Sequence, residues 1–264
     1  IIYSVPVSLI GFFFGFKIIQ VFISDTITAP LAISYFSISS LGLFFNSMSF
    51  VFQGFYTGVE KTRVHLSVTV SSNLINAYLN GGFIYGKKNI SSFFNSVFGE
   101  FFDISFLWFW ADFDGLGVSG AALGTLIASI WMVLHYYYYL NKQTIVKKNK
   151  NIFRVGLNKT MLYRQVQLSL PMGTQEMMIA IGWSFFYKIM ALIGILELAT
   201  TQLLFTIMHA SFMPALGVGQ ACATLVGKHM GSNEINKSEQ SINESLRLAE
   251  YMMGTMGLVF ILFP

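Results

Sequence analysis

Charged side chains are scarce in this 264-residue chain, at 11% of the total. Soluble domains carry about 25%, so a soluble globular fold is excluded. Cysteine is nearly absent too. Cys222 stands alone, which rules out an internal disulfide framework and any zinc site built on paired cysteines. Its Gly/Ala-rich surroundings make it a small packing residue. The isoelectric point near 9.1 would suit a nucleic-acid binder, but the cations lie between apolar runs and form no exposed stripe. Enzyme signatures are missing as well. The chain has no glycine loop ending in Lys-Ser/Thr, no His-Glu-x-x-His and no Gly-x-Ser-x-Gly. No basic start with a small-residue cleavage site is seen. Ile1 lies inside one apolar run and Pro264 closes another, so both ends are expected to be cuts through a larger protein.

What the chain has is apolar surface: 54% hydrophobic, 16% aromatic, with a mean hydropathy of +0.61. Seven runs, near 1–24, 32–57, 64–86, 116–140, 166–195, 199–226 and 246–264, are candidates to cross a bilayer. Helices are the expected form, because in hydrocarbon each backbone amide must be satisfied within its own segment. The fold class expected is all-α, a polytopic transmembrane helix bundle.

The cations fix the orientation. They cluster at Lys61 and Arg63, then at Lys142, Lys147, Lys148, Lys150, Arg154, Lys159 and Arg164, and again at Lys228, Lys237 and Arg247. These are alternate connections, so all three clusters share one side. The other side holds Lys87 and Lys88 with the acids Asp25, Glu100, Asp103, Asp112, Asp114 and Glu197. The basic side is cytoplasmic by the positive-inside rule. Two connections stand out. Residues 142–164 are long and basic, a linker between bundles. Residues 87–115 hold phenylalanines and tryptophans among acids, either an element on the outer leaflet or a variable loop.

The segment Pro214, Gly217, Gly219, Ala221, Ala223, Val226-Gly227, Gly231 resembles helix 8 and the following loop of the multidrug and toxic compound extrusion (MATE) transporters. Three more stretches resemble the same family, in its NorM and DinF types. Gln53–Arg63 is similar to the turn between helices 4 and 5, Asn76–Gly86 to the outer half of helix 5, and Gly115–Thr125 to the start of helix 6. Leu170-Pro171 sits where helix 7 usually opens. The resemblance implies that the seven runs are helices 3 to 9 of twelve. Residues 1–141 would then belong to the first lobe, with 87–115 on its outer surface. Residues 142–164 would form the inter-lobe linker and 165–264 part of the second lobe. It also implies a secondary antiporter of a cytoplasmic membrane, exporting amphiphilic or cationic organic compounds against protons or sodium. No cofactor and no nucleic-acid partner are expected; the partners are organic small molecules and lipid, and the chain is expected to act as a monomer. Flippases for lipid-linked oligosaccharides share the wider superfamily. Their cavity needs Arg and Lys for pyrophosphate, and here only Lys17 and Lys188 are membrane-embedded. A fragment without transport activity is the third reading.

A charge inside hydrocarbon costs on the order of 2.5–3.5 kcal/mol, so each polar residue in a span needs a reason. Glu176 is the one deep carboxylate, read as about two turns inside its span at about 1.5 Å per residue, and is the candidate for ion coupling. NorM-type relatives carry their acid where this chain has Ile179, one turn further on. Asn80 stands where archaeal and DinF-type relatives have Asp, and cannot titrate. Gln175, Asn76, Asn80 and Gln53 are candidates to line the substrate or cation pathway. Asn73, Asn76 and Asn80 recur at i, i+3, i+7 and Asn46 and Gln53 one heptad apart, each set suggesting one face; polar glue between helices is the competing reading. His209 has no second ligand at metal spacing and reads as a packing residue. Lys17 and Lys188 read as snorkelling cations, and the methionines of the last spans as apolar filler.

Overall fold

The computed structural model describes residues 4–22, 26, 28–98, 105–142 and 158–262. Every regular element among them is helical. The chain divides into two compact units, residues 1–150 and 151–264, each of which is described by itself. Asp25, Glu100, Asp103 and the linker cations Lys147, Lys148, Lys150 and Arg154 lie outside the described residues.

The first unit contains α1 (Ser4–Phe22), α2 (Thr28–Gly58), α3 (Thr62–Asn80), a π-helical turn (Gly81–Tyr85), α4 (Gly86–Phe98), a 3-10 turn (Ser105–Trp108) and α5 (Val118–Lys142). Helix α2 packs on both α1 and α5, and α3 packs on α5. Small residues set the close approach that membrane helices use in place of a hydrophobic drive. A methyl at Gly11 of α1 would fall 2.5 Å from Ser40 Oγ of α2, while Ser8 donates to the Ser40 carbonyl at 2.5 Å.

The unit's buried core lies at the basic end, where Tyr56 of α2, Val68 of α3 and Tyr136 of α5 are fully enclosed. Tyr56 and Tyr136 stack with centroids 5.6 Å apart, and the Tyr56 hydroxyl donates to the Tyr136 carbonyl at 3.3 Å. His65 Nδ1 and the Tyr136 hydroxyl share a 2.5 Å hydrogen bond. Removing that hydroxyl leaves the ring packing intact. Tyr136→Phe is therefore expected to destabilise the protein by about 1 kcal/mol, read as a lowered denaturation midpoint in detergent. A midpoint equal to wild type would show that the bond contributes nothing.

The span expected at 64–86 needs revision. Among the described residues five helices are long and apolar enough to cross a membrane, α2, α5 and three in the second unit; neither α3 nor α1, whose apolar part is shorter, is one of them. Helix α3 carries Thr62, Ser67, Thr69, Ser71, Ser72 and three asparagines. With the π-turn its length still reaches about 36 Å, enough for about 30 Å of hydrocarbon. The shortfall is in apolarity, and Ser67, Ser71, Ser72 and Asn76 bond α5.

The second unit contains α6 (Lys159–Ile193), α7 (Ile195–Gly231) and α8 (Ile235–Leu262), with α7 packed on both others. The expected opening of a helix at Leu170-Pro171 is overturned. Asn158 Oδ1 accepts from the amides of Thr160 and Met161 at 3.0 and 3.2 Å, capping a helix that starts at Lys159, and Pro171 lies inside it. Apolar-run counting misses this because α6, at about 52 Å, outruns the hydrocarbon on its basic side. The start of α8 moves in the same way, from the expected 246 to Ile235.

The turn between α7 and α8 is built on Glu234. Its carboxylate accepts from Lys237 Nζ at 2.6 Å, and from Ser232 Oγ at 3.3 Å, and pairs with His229 Nδ1 at 3.1 Å. The Lys237 ammonium, then His229, holds the carboxyl below its ordinary value of 4.5. A depressed carboxyl adds stability that is present above its unfolded pKa and lost as pH falls through the folded one. The melting-temperature difference between wild type and Glu234→Gln should thus be positive at neutral pH and shrink as the pH falls below the ordinary carboxyl value. A pH-independent difference would rule out the ion pair as its source.

Candidate functional site

A line of polar side chains joins the helices of the first unit, buried at Ser129, half-buried at Asn46, Asn76 and Asn80 and exposed at Thr125, and it begins with α5. Thr125 and Ser129, one turn apart, donate to the carbonyls of Ala121 and Thr125 at 2.9 Å each, the usual resting place of such hydroxyls in a membrane helix. Each also reaches a neighbour. Ser129 Oγ donates to Asn46 Oδ1 of α2 at 3.2 Å, and Thr125 Oγ1 accepts from Asn76 Nδ2 of α3 at 3.4 Å. Asn76 Oδ1 in turn accepts from Asn80 Nδ2 at 3.1 Å. The track thus runs Asn46, Ser129, Thr125, Asn76, Asn80, linking three helices.

At its end the Asn80 carboxamide oxygen is buried and has no hydrogen-bond partner. It rests against α5 at Gly124, where a Cβ would collide with it. A buried amide oxygen without a donor costs on the order of 1–3 kcal/mol.

The stripe on α3 differs from the expected one. Asn73 is exposed, and its place is taken by Ser72, whose hydroxyl donates to the Ala128 carbonyl at 2.9 Å. The face turned to α5 repeats every four residues, Ser72, Asn76, Asn80, as in a ridge of one helix lying in the groove of another. Spacing by three and four had suggested a face that the helix crossing turns away.

Of the sequence candidates, the structure brings Asn76 and Asn80 together. Gln53 is half-buried on α2, two turns from Asn46. Gln175 and Glu176 belong to the second unit and are exposed on α6. Counting from the α6–α7 break at Gly194, Glu176 lies about 27 Å along the helix; with that break at the outer surface of about 30 Å of hydrocarbon, it would stand near the basic side. Thr125 and Ser129 had not been singled out; their recurrence at i, i+4 behind Gly120 and Gly124 was the available signal.

Two concavities of the second unit bear on the site. One, of about 640 Å³, lies between α7 and α8 over Pro214, Gly217 and Ala221, with His229, Lys237 and Glu244 at its rim. The other, of about 550 Å³, is walled by Trp183 and Tyr187 of α6 and Phe205 and His209 of α7. Its rings pack on one another, Trp183 and Phe205 having centroids 4.5 Å apart. Lys188 and the methionines Met172, Met177, Met178, Met208 and Met213 are exposed. Cys222 is half-buried, with its sulfur 4.0 Å from the Ser241 carbonyl. Among the described residues no three His, Cys, Asp or Glu side chains gather as a metal site.

Comparison with known proteins gives a consistent result. Residues 1–81 match the family described as MatE. The chain is 24% identical over 229 residues to the probable multidrug resistance protein NorM of Thermotoga maritima, covering 83% of this chain and 42% of that protein. It is 23% identical over 237 residues to the probable multidrug resistance protein NorM of Rhizobium meliloti, covering 89% and 46%. The chain thus spans less than half the length of the curated relatives it matches.

Proposed function

We propose that the chain is a member of the multidrug and toxic compound extrusion family, which it resembles over residues 1–81 and in its NorM relatives, and that it takes part in secondary active export of amphiphilic or cationic organic compounds from the cytoplasm. The driving ion is a proton or sodium, moved inward across the cytoplasmic membrane. The observation that carries this reading is the polar track through α2, α3 and α5. Polar groups in a membrane interior are costly and tend to mark pathways. Asn46, Ser129, Thr125, Asn76 and Asn80 supply amide and hydroxyl oxygens in a row, with Gln53 two turns nearer the basic end.

Export works by alternating access. A compound and an ion that favour different conformations shift the equilibrium in opposite senses, and their differential affinities are the coupling. Glu176, near the basic-side boundary, is the titratable candidate, where a carboxyl can exchange protons with the cytoplasm. Gln175 beside it offers an amide to the same region. The asparagines of the track hold their hydrogen-bonding pattern at any pH, so they serve as ligands and not as proton carriers.

The test is ethidium export from an efflux-deficient host expressing the protein, under an imposed proton gradient, an imposed sodium gradient, and neither. Concentrative export with one gradient supports the reading. Ethidium levels equal to the empty host under both would refute it.

A further inference from the structure

The outer end of α3 is clamped from two sides, and the clamp bears on the polar track. Immediately after Asn80 the backbone leaves α-helical geometry for the π-turn Gly81–Tyr85. Such turns hold an extra residue and occur mostly at functional sites. One face of the turn lies on α5, where a Cβ at Gly120 would strike the Phe83 carbonyl. The other face is covered by the segment 105–117. The Trp108 ring would be 3.0 Å from a Cβ at Gly81, and the Trp110 ring 2.5 Å from one at Gly82.

Directed bonds fasten this covering. Trp108 Nε1 donates to the Tyr78 carbonyl at 2.7 Å, and Trp110 Nε1 to the Tyr78 hydroxyl at 2.8 Å. The same hydroxyl donates to the Leu107 carbonyl at 2.6 Å. The amides of Leu116 and Gly117 donate to the carbonyls of Phe83 and Ile84 at 2.8 and 3.2 Å, and the Lys87 amide to the Ala111 carbonyl at 2.9 Å. The π-turn therefore makes hydrogen bonds to the strap along its own carbonyls.

We infer that residues 105–117 act as a register clamp, with Tyr78, Trp108 and Trp110 as positioning residues that set how Asn76 and Asn80 meet α5. The reason is helical geometry. Losing the extra residue of a π-turn turns the helix on one side by about 100° and shifts it by about 1.5 Å. The strap holds the far side, so α3 would move. Asn80 would leave Gly124 and Asn76 would leave Thr125, breaking the track at two joints. The clamp thus gives residues 105–115, the described end of the outer segment, a role that a variable loop would not have.

Its importance for export rests on the proposed transport reading, but its geometry can be tested separately. In a Cys222→Ser background, Asn80→Cys of α3 and, separately, Ser40→Cys at the α1–α2 contact report accessibility to a water-soluble methanethiosulfonate in the purified protein. Trp108→Ala with Trp110→Ala should raise the Asn80→Cys reaction rate about tenfold or more by local opening, with Ser40→Cys within about twofold. Tyr78→Phe, which leaves the rings in place, should raise it about threefold. An unchanged Asn80→Cys rate, or an equal rise at both reporters, overturns the clamp. In the export assay the tryptophan variants should raise the half-saturating concentration of the driving ion at an unchanged maximal rate; a fall in maximal rate alone also overturns it. Should the wild type export nothing, the transport reading fails while the thiol rates still decide the clamp.

Discussion

Gly120→Leu is expected to prevent the protein from folding into a monodisperse species. The first carbon of any side chain at this position meets backbone, its Cβ lying 2.5 Å from the Phe83 carbonyl carbon. Overpacking usually costs about 1–3 kcal/mol because side chains yield. Here the obstacle is a main-chain carbonyl that already accepts from the Leu116 amide at 2.8 Å. Behind it the π-turn rests on Trp108 and Trp110, so retreat would break the strap as well. The penalty should reach the exceptional range of about 4–5 kcal/mol. Gly54 of α2 is the control, since nothing lies within 4 Å of its Cβ position. Gly54→Ala should leave stability equal or raise it by about 0.5–1 kcal/mol, as expected for a helix interior. Size-exclusion profiles and melting curves in detergent would read both. A Gly120→Leu protein that elutes and melts like wild type would mean α5 and the π-turn are not in contact.

The helices and the alternation of basic and acidic connections could be read from the sequence because both arise from one constraint. Backbone amides must be satisfied within a segment in lipid, and cations collect on one side. Helix ends could not be read in the same way. Lys159 and Ile235 begin helices inside polar sequence, since a helix leaving the bilayer needs only a cap and a packed neighbour, as Asn158 provides. The polarity of α3 hid a further difference: a run with three asparagines was counted as a span, and Ser67, Ser71, Ser72 and Asn76 turn out to bond α5.

The site was half visible. Asn76 and Asn80 announced themselves by type, because amides in an apolar run are rare. Thr125 and Ser129 did not, since most membrane hydroxyls simply bond the carbonyl one turn back; only packing reveals that these two also bond across helices. Asn73 shows the opposite error, a residue of the right type on a face that the crossing of α3 over α5 leaves outside. The π-turn, written as Gly81-Gly82-Phe83-Ile84-Tyr85, has no period of its own. It exists because Trp108 and Trp110, 26 or more residues away, fill the space its two leading glycines leave open.

Glu176→Gln is expected to abolish concentrative export while leaving the fold unchanged. The side chain is exposed on α6, with no hydrogen-bonded partner among the described residues to lose, and an exposed substitution of similar shape shifts stability by about 0.5 kcal/mol at most. The melting temperature should therefore match wild type. The functional effect has a different origin. One elementary charge crossing 100 mV is worth about 2.3 kcal/mol, and an antiporter uses that energy only if a group binds the ion in one conformation and releases it in the other. Glutamine keeps the size and hydrogen bonding of the site and removes its titration. Ethidium should then equilibrate across the membrane without being expelled against its gradient, and its distribution should no longer respond to an imposed proton gradient. Glu176→Asp, which can still titrate, should retain part of the response. A Glu176→Gln protein that still expels ethidium under a proton gradient would move the coupling elsewhere. If the melting temperature instead fell by several degrees, the carboxylate would be a structural partner in the assembled protein.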